Sequence, residues 1–573
     1  MKEAVKTSEK NCIKEEDENV KDVDYDTFLS SAGEFGLYQW LLFVSMLPFY
    51  IFGAFTYFGQ MFMTEAAPNH WCWVPELENL TVEERRTIAI PLDENDRYGY
   101  SHCQTYVANW SEVLITGQKP NNSWPVAACA NGWEFNKTEI PYPTISSEMG
   151  WVCERSSYQA SAQSFFFVGS IIGGFIIGWI ADRFGRLPAA TCANMIACVA
   201  GIGSTYSTNF IQFTVCRFFV GMGYDNCMMM TYLLVLEYVA PKYRTLFANL
   251  PFAIFFTLGL TILPWISLAC GHWKSIGLAT SVPLAISLLT PFVMPESPRW
   301  LLTRGRVEDT INKVLSISRV NKKPIPPRLV EQFRTTATKN TDTSSKSVIQ
   351  MMKSPLLRKM FFCICVEYMC VMIIFDVSAR SVGQLEFDFF LSFTLVSLTE
   401  LPSLLIVAFA LDYTGRKWLM ISSTLVCFAF CLLTAFISDG LVSVLCAVIV
   451  RFTINIACNA SMQWAAELLP TPVRGSGSSF IHICGYVATV ISPFIAYLDV
   501  VAYYLPLTIC ACIGVLAVLL AFNLPETVNQ DLPQTFEDTE NLIKKQPFWD
   551  LPCINKEIND TGECYVNNSF ELN

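Results

Sequence analysis

Long apolar runs separated by short polar knots set the pattern of this chain. A membrane-crossing helix needs about 20 mostly apolar residues, and twelve such runs begin near positions 38, 158, 188, 210, 245, 275, 359, 388, 418, 441, 477 and 502. Six lie on each side of the charged stretch from 295 to 357. The run from Phe165 to Ala181 ends in a charged knot of Asp182, Arg183, Gly185 and Arg186, and the next run starts at once. That knot has a copy 230 positions on, where Asp412, Gly415 and Arg416 repeat Asp182, Gly185 and Arg186. Glu237 and Arg244 return at the same offset as Glu467 and Arg474, and Pro295 and Glu296 return as Pro525 and Glu526. The chain is a duplicated unit of six spans, an all-α membrane architecture of two pseudo-symmetric six-helix bundles with a polar pocket expected between the halves at mid-bilayer depth.

The segments between the spans complete the layout. Residues 1–36 read as a solvated leader, 37–63 as the first span, 64–156 as a long loop, 157–294 as spans two to six, 295–357 as a charged connector, 358–524 as spans seven to twelve and 525–573 as a polar tail. In the connector, Val307, Ile311, Val314, Leu315 and Ile317 recur at helical spacing, which predicts an amphipathic helix against the ends of the spans. The polar run from Thr335 to Ser347 reads as a flexible linker. Composition agrees with a bilayer protein: of 573 residues 52% are hydrophobic, 13% aromatic and only 16% charged, too apolar a balance for a soluble chain of this length.

Charge then orients the bundle. Loops of one parity carry Arg183, Arg186, Lys242, Arg244, Arg416, Lys417 and Arg474, against Lys274 and Arg380 on the other. The excess of basic residues places the first set and both termini in the cytosol. The leader is acidic and lacks the basic start and small-residue cleavage site of a signal peptide, so the first span is expected to be an uncleaved anchor. The formal net charge of −11 follows this topology and carries no nucleic-acid signature.

Topology puts the 64–156 loop outside the cell, where disulfides persist. It holds Cys72, Cys103, Cys129 and Cys153 out of 22 cysteines, enough for two bridges among three pairings. It also holds the glycosylation acceptors Asn79, Asn109, Asn121 and Asn136, each two residues before Ser or Thr. Asn559 and Asn567 have the same spacing but fall in the cytosolic tail and are expected to stay bare. A small stapled, glycosylated ectodomain results, with a role in folding and trafficking or as an oligomer contact.

The repeated knot needs a physical reason. An Asp and an Arg at a helix turn can pair in one arrangement and part in another, and several such pairs of about 0.2–1 kcal/mol each would bias a two-state equilibrium by the few kcal/mol a gate requires. Asp182, Arg186, Glu237, Arg244, Asp412, Arg416, Glu467 and Arg474 are the candidate cytosolic gate. GWIADRFGR and ALDYTGRK resemble the loop signature of the major facilitator superfamily. PESPRWLLTRGR from Pro295 to Arg306 resembles the segment after the sixth helix of its organic cation, organic anion and carnitine transporters. HWC at 70–72, CQTY at 103–106, CANGWEF at 129–135, SEMGWVC at 147–153 and AELLPTPVRGSG from Ala466 to Gly477 are similar to that family in the same order. The resemblance spans about residues 25–530 and implies the twelve-helix major facilitator fold, alternating access and a central cavity for small charged organic molecules.

Charged residues at mid-span are costly, about 2.5–3.5 kcal/mol on insertion scales, and so mark function. Asp225 lies twelve residues before Glu237, about 18 Å along the helix. Glu400 stands twelve before Asp412 and Arg451 sixteen before Glu467. All three are at substrate depth. Glu367 lies about two turns from the cytosolic end of the seventh span, with Asp376 and Arg217 nearer the outside. His482 and Tyr486 face inward on the eleventh span, and Tyr232, Asn459, Gln463, Trp265 and Trp464 are candidate cavity residues. By the resemblance, cation carriers show Asp and anion or carnitine carriers Arg where this chain has Tyr486, so the charge preference does not transfer directly.

The residues therefore predict a plasma-membrane transporter of small amine-bearing solutes, organic cations or zwitterions such as carnitine- or β-alanine-like compounds. Asp225 or Glu400 would take the ammonium, Arg451 a carboxylate, and Tyr486, Asn459 and Tyr232 would line the pocket. An organic anion carrier using Arg217 and Arg451 is the alternative, and a receptor of transporter shape that binds without flux is a second. No metal-ligand cluster, phosphate loop or nucleophile–base set is present, so neither an enzyme nor a cofactor is predicted, and the partners are the solute and the bilayer.

Overall fold

The computed structural model describes residues 23–93, 99–117, 120–121, 124–339, 348–385, 387–437, 440–528, 530 and 532–545. The leader before 23, residues 340–347 of the expected linker and the tail beyond 545, with Asn559 and Asn567, lie outside the described residues; residues 335–339 of that linker instead belong to the helix Pro327–Lys339. Twelve apolar helical segments follow the predicted order: α1 (Leu37–Thr64), α2 (Ser157–Phe184), α3 (Arg186–Ser204), α4 (Phe210–Leu236), α5 (Asn249–Cys270), α6 (Trp273–Val293), α7 (Pro355–Arg380), α8 (Phe389–Thr414), α9 (Arg416–Phe436), α10 (Gly440–Leu468), α11 (Thr471–Val500) and α12 (Leu505–Ala521). Eleven are long and apolar enough to cross a bilayer, and α12, at 17 residues, is the short one. Large apolar side chains such as Phe175, Trp179, Phe292, Phe409 and Leu519 are exposed around the bundle, the surface a helix presents to lipid rather than to water.

Close packing in the first half rests on glycine. Cβ atoms at Gly169 and Gly173 of α2 would strike the backbone of α4 at Phe218 and Met222, and one at Gly221 would strike Phe166. Small residues four apart let two membrane helices approach to backbone contact. Gly178, expected to serve the same purpose, faces open space. In α5, Pro251 precedes a π-helical stretch at Phe252–Phe256, the local widening that a missing backbone N–H invites.

Between α1 and α2 the loop folds as a small domain. A strand β1 (His70–Cys72) pairs antiparallel with β4 (Trp133–Phe135), and β2 (Gln104–Tyr106) with β3 (Val126–Ala128). Disulfides join Cys72 to Cys129 and Cys103 to Cys153, which selects one of the three pairings. Trp71, Val74, Leu77, Ile90 and Tyr100 form its core, and Arg85 pairs with Glu134 across it. The Val82–Ala89 helix is started by Thr81 and Glu84 in a reciprocal cap.

At the opposite face, the predicted amphipathic helix is present as Val307–Val320, burying Ile311, Val314 and Ile317. The leader differs from its expected solvated state over its described part. Residues Tyr25–Ser31 form a helix capped by Asp24, with Phe28 fully buried and stacked 4.4 Å from Phe333 of the connector. The cause is an apolar stripe of Tyr25, Phe28 and Leu29 within an otherwise acidic segment, too short to register as periodicity.

Candidate functional site

The repeated knots are repeated structures. Gly185 and Gly415 have φ of +112° and +81°, a backbone region that L side chains avoid, and a Cβ at either would run into the carboxylate of Glu296 or Glu526. Those carboxylates accept the first free N–H groups of α3 and α9: Arg186 N to Glu296 at 2.9 Å, and Arg416 N and Lys417 N to Glu526 at 2.9 and 3.0 Å. A negative charge on exposed donors at a helix N-terminus is favourable. Arg186 pairs with Asp182 at 2.8 Å and Glu237 at 3.7 Å, and Arg416 with Asp412 at 3.2 Å and Glu467 at 3.0 Å. Ser297 donates to Glu237 as Thr527 does to Glu467. The symmetry ends at the second arginines. Arg244 and Arg299 both bind Asp26 of the leader helix, whereas Arg474 donates to the Leu469 carbonyl. Burial raises the Asp26 carboxyl, but the two guanidiniums outweigh it and hold it below the usual carboxylate range. Each of these ion pairs closes within its own half.

Contacts between the halves lie instead toward the loop domain. Asp376 of α7 accepts from Tyr57 of α1 at 2.6 Å, from Ser492 of α11 and from Arg380 at 2.7 Å. Ser164 of α2 donates to the Val490 carbonyl at 2.7 Å, and Ser156 meets Tyr497 at 2.9 Å. Phe58 and Phe62 of α1 pack on Phe393 and Phe389 of α8. The halves are thus clasped on the loop-domain face, whereas the charge sets on the other face pair within each half.

At mid-depth Asp225 of α4 is partly accessible and accepts a hydrogen bond from the Tyr486 hydroxyl of α11 at 2.8 Å. His482 lies 4.9 Å from Tyr486, and Tyr368 of α7 lies 6.4 Å from His482, between ring centres. Tyr50 of α1 and Tyr232 of α4 lie within electrostatic range of one another and Tyr50 of Asp225. Tyr486, Tyr50, Tyr368 and Tyr224 from both halves thus lie about the Asp225 carboxylate, with Tyr232 and His482 beside them, and among the described residues it has no ion pair. Glu400 and Arg451 are not arranged in this way: Arg451 pairs with Glu400 at 2.7 Å, with side chains 2% and 1% exposed, donates to the Phe375 carbonyl and lies 3.7 Å from the Phe375 ring. Arg217 is buried, donating to Gln60 at 2.6 Å and to the Thr56 carbonyl at 3.1 Å. Asn459 is partly accessible and donates to the Asn455 carbonyl, and Gln463 donates to Glu467. Trp464 is fully buried with its N–H on the Pro525 carbonyl, and Trp265 is 49% exposed; neither faces the Asp225 cluster. Among the described residues no group of three or more His, Cys, Asp or Glu side chains is placed to hold a metal ion.

The model of the sugar (and other) transporter family matches residues 126–538. The chain belongs to that family. The transporter is 30% identical to the carcinine transporter of Drosophila melanogaster over 546 residues, 92% of this chain and 80% of that protein. It is 29% identical to the Drosophila β-alanine transporter (90% and 89%) and 28% identical to mouse solute carrier family 22 member 3 (91% and 96%). The inward-open xylose transporter XylE from E. coli matches at a TM-score of 0.56 and 16% identity, over 87% of this chain and 99% of that one, which establishes the major facilitator fold. The predicted family, fold and transporter class stand, and the family is one of transporters rather than enzymes.

Sequence placed Asp225 at substrate depth and faced Tyr486 inward but did not join them. It named Tyr232 but missed Tyr50, Tyr368 and Tyr224, which lies within electrostatic range of Asp225 and bonds to Tyr486, because one aromatic among many in apolar spans carries no mark of facing a cavity.

Proposed function

We propose that this transporter moves small amine-bearing organic solutes, cations or zwitterions, across the plasma membrane by alternating access, with the charge-set face and both termini in the cytosol and the glycosylated loop domain outside. One observation carries the substrate class: Asp225 is a partly accessible acid with tyrosines about it and no ion pair among the described residues, while Glu400 and Arg451 neutralise each other. An ammonium group would meet a carboxylate for charge and aromatic faces for cation–π attraction of about 0.5–2 kcal/mol. A solute carboxylate would reach Arg451 only by displacing Glu400. Relatives named for carcinine, β-alanine and organic cations support the same class. The clasp at Asp376 then corresponds to a closed outer side, and the charge sets, which pair within each half, to an open inner one.

The test is uptake into vesicles containing the purified chain, with labelled tetraethylammonium, β-alanine and succinate. Uptake of the first two that is lost in Asp225→Asn supports the proposal. Preferential uptake of succinate would make the chain an anion carrier, and binding without flux would make it a receptor.

A further inference from the structure

α7 holds another acid that neither the charge sets nor the Asp225 cluster uses. Glu367 is completely buried. Ser461 of α10 donates to its Oε2 at 2.6 Å, and its Oε1 has no hydrogen-bond partner among the described residues. The groups around it are neutral hydroxyls and thiols. On its own helix these are Tyr368 and Cys370, and on α10 Cys458. From α11 the titratable side chains near this segment are His482 and Tyr486, beside Tyr368, and Cys484, beside Cys365. The facing α12 segment contains Cys510 and Cys512 and no charged residue. The nearest charges are Asp225, reached through Tyr368, and Glu400 and Arg451, reached through Cys458 and occupied with each other. At the ends of α7, Glu540 binds Ser354 and Asp376 binds Arg380 and Ser492, about 20 and 13 Å along the helix from Glu367.

An ionised carboxylate with one hydroxyl donor and no cation is strongly disfavoured in such surroundings, whereas the neutral acid is tolerated. Only water can change the balance, and water enters only if α7 and α10 part. The ring of the adjacent Tyr368 is the obstacle that a Cβ on Gly485 of α11 would meet, one residue from the Tyr486 that binds Asp225. Movement of α7 is thereby tied to the solute cluster.

We propose that Glu367 is a proton-binding site of the transport cycle, holding a proton while α7 and α10 are packed and releasing it to water when they separate. In the release the carboxyl O–H bond breaks, its electron pair stays on the carboxylate, and water takes the proton as hydronium. Ion coupling of this kind rests on the carrier reading above; the protonation of Glu367 does not.

Two measurements on the reconstituted full chain separate them. In infrared spectra at neutral pH, wild type shows the carbonyl band of a buried protonated carboxyl and Glu367→Gln lacks it. A band unchanged by the substitution overturns the proposal. With tetraethylammonium and β-alanine as probes and pH varied on each side, wild-type flux changes by up to about tenfold per pH unit, while Glu367→Gln, which keeps the acceptor for Ser461, transports without pH dependence. A wild-type pH profile in Glu367→Gln also overturns it. If the glutamine variant does not fold, Glu367→Asp retains a pH response with a displaced midpoint, and loss of all pH response there counts against the proposal. If wild type carries neither probe yet the band is lost in the variant, the amine-carrier reading fails and Glu367 remains a proton site.

Discussion

The Tyr486 hydroxyl on α11 donates to the Asp225 carboxylate on α4 at 2.8 Å, so a polar contact at mid-depth between the two halves is made by the residue best placed to take an ammonium group. A solute amine arriving at Asp225 would compete with, or add to, a bond that holds the halves together. Binding and rocking are linked by this geometry.

Asp225→Asn should lower uptake of amine probes by at least about tenfold, the loss expected when a charge-assisted contact of roughly 1.5–3 kcal/mol becomes neutral. Tyr486→Phe should leave the charge and change uptake less, with the larger effect on the rate of exchange. Initial-rate uptake and counterflow of tetraethylammonium distinguish the two; equal uptake in Asp225→Asn and wild type would remove Asp225 from the site.

Removing one member of the buried pair should damage the fold more than the function. Arg451→Ala or Glu400→Ala leaves an unpartnered charge and should cost about 3–5 kcal/mol, whereas replacing both by apolar residues of similar volume should recover most of the stability. Thermal unfolding of the purified protein in detergent reads the difference. A stable Arg451→Ala with altered solute preference would instead mean that Arg451 works on the solute.

The knots make a paired prediction. Gly185→Ala and Gly415→Ala each force a side chain into a positive-φ position against a capping carboxylate, and each should destabilise by more than about 1 kcal/mol. The two should behave alike because the local structures repeat. A neutral effect at either site, read by melting temperature, would show that the turn rearranges freely.

Acid should release the leader helix. Asp26 titrates below the usual carboxylate range because Arg244 and Arg299 hold its charged form. Its contribution is therefore present above the unfolded-state value and is lost as pH falls through the lower folded-state value. Hydrogen exchange at Tyr25–Ser31 should rise on acidification, and Asp26→Asn should show that faster exchange already at neutral pH.

The loop-domain pairing is checked by peptide mapping without reduction, which should recover Cys72 with Cys129 and Cys103 with Cys153. Opening either bridge should cost about 2–5 kcal/mol within this small domain.

By itself the sequence determined the number, order and duplication of the spans, because hydrophobic length and turn chemistry are local and repeat at a fixed offset. It also determined the depth of Asp225, Glu400, Arg451 and Glu367, since rise per residue is constant along a helix. Azimuth and partner were decided only by the tertiary structure. Glu400 and Arg451 stand at the same depth as Asp225, and nothing local to them tells a pair facing each other from two groups facing a pocket. The gate residues show the same limit: Asp182, Arg186 and Glu237 were legible as a repeated set, but their closure within one half, and the clasp at Asp376 on the opposite face, depend on how two bundles meet. The docked leader helix depends on Phe333, some three hundred residues away. Long-range packing places these side chains, and its information is spread over all twelve helices rather than held in any one stretch.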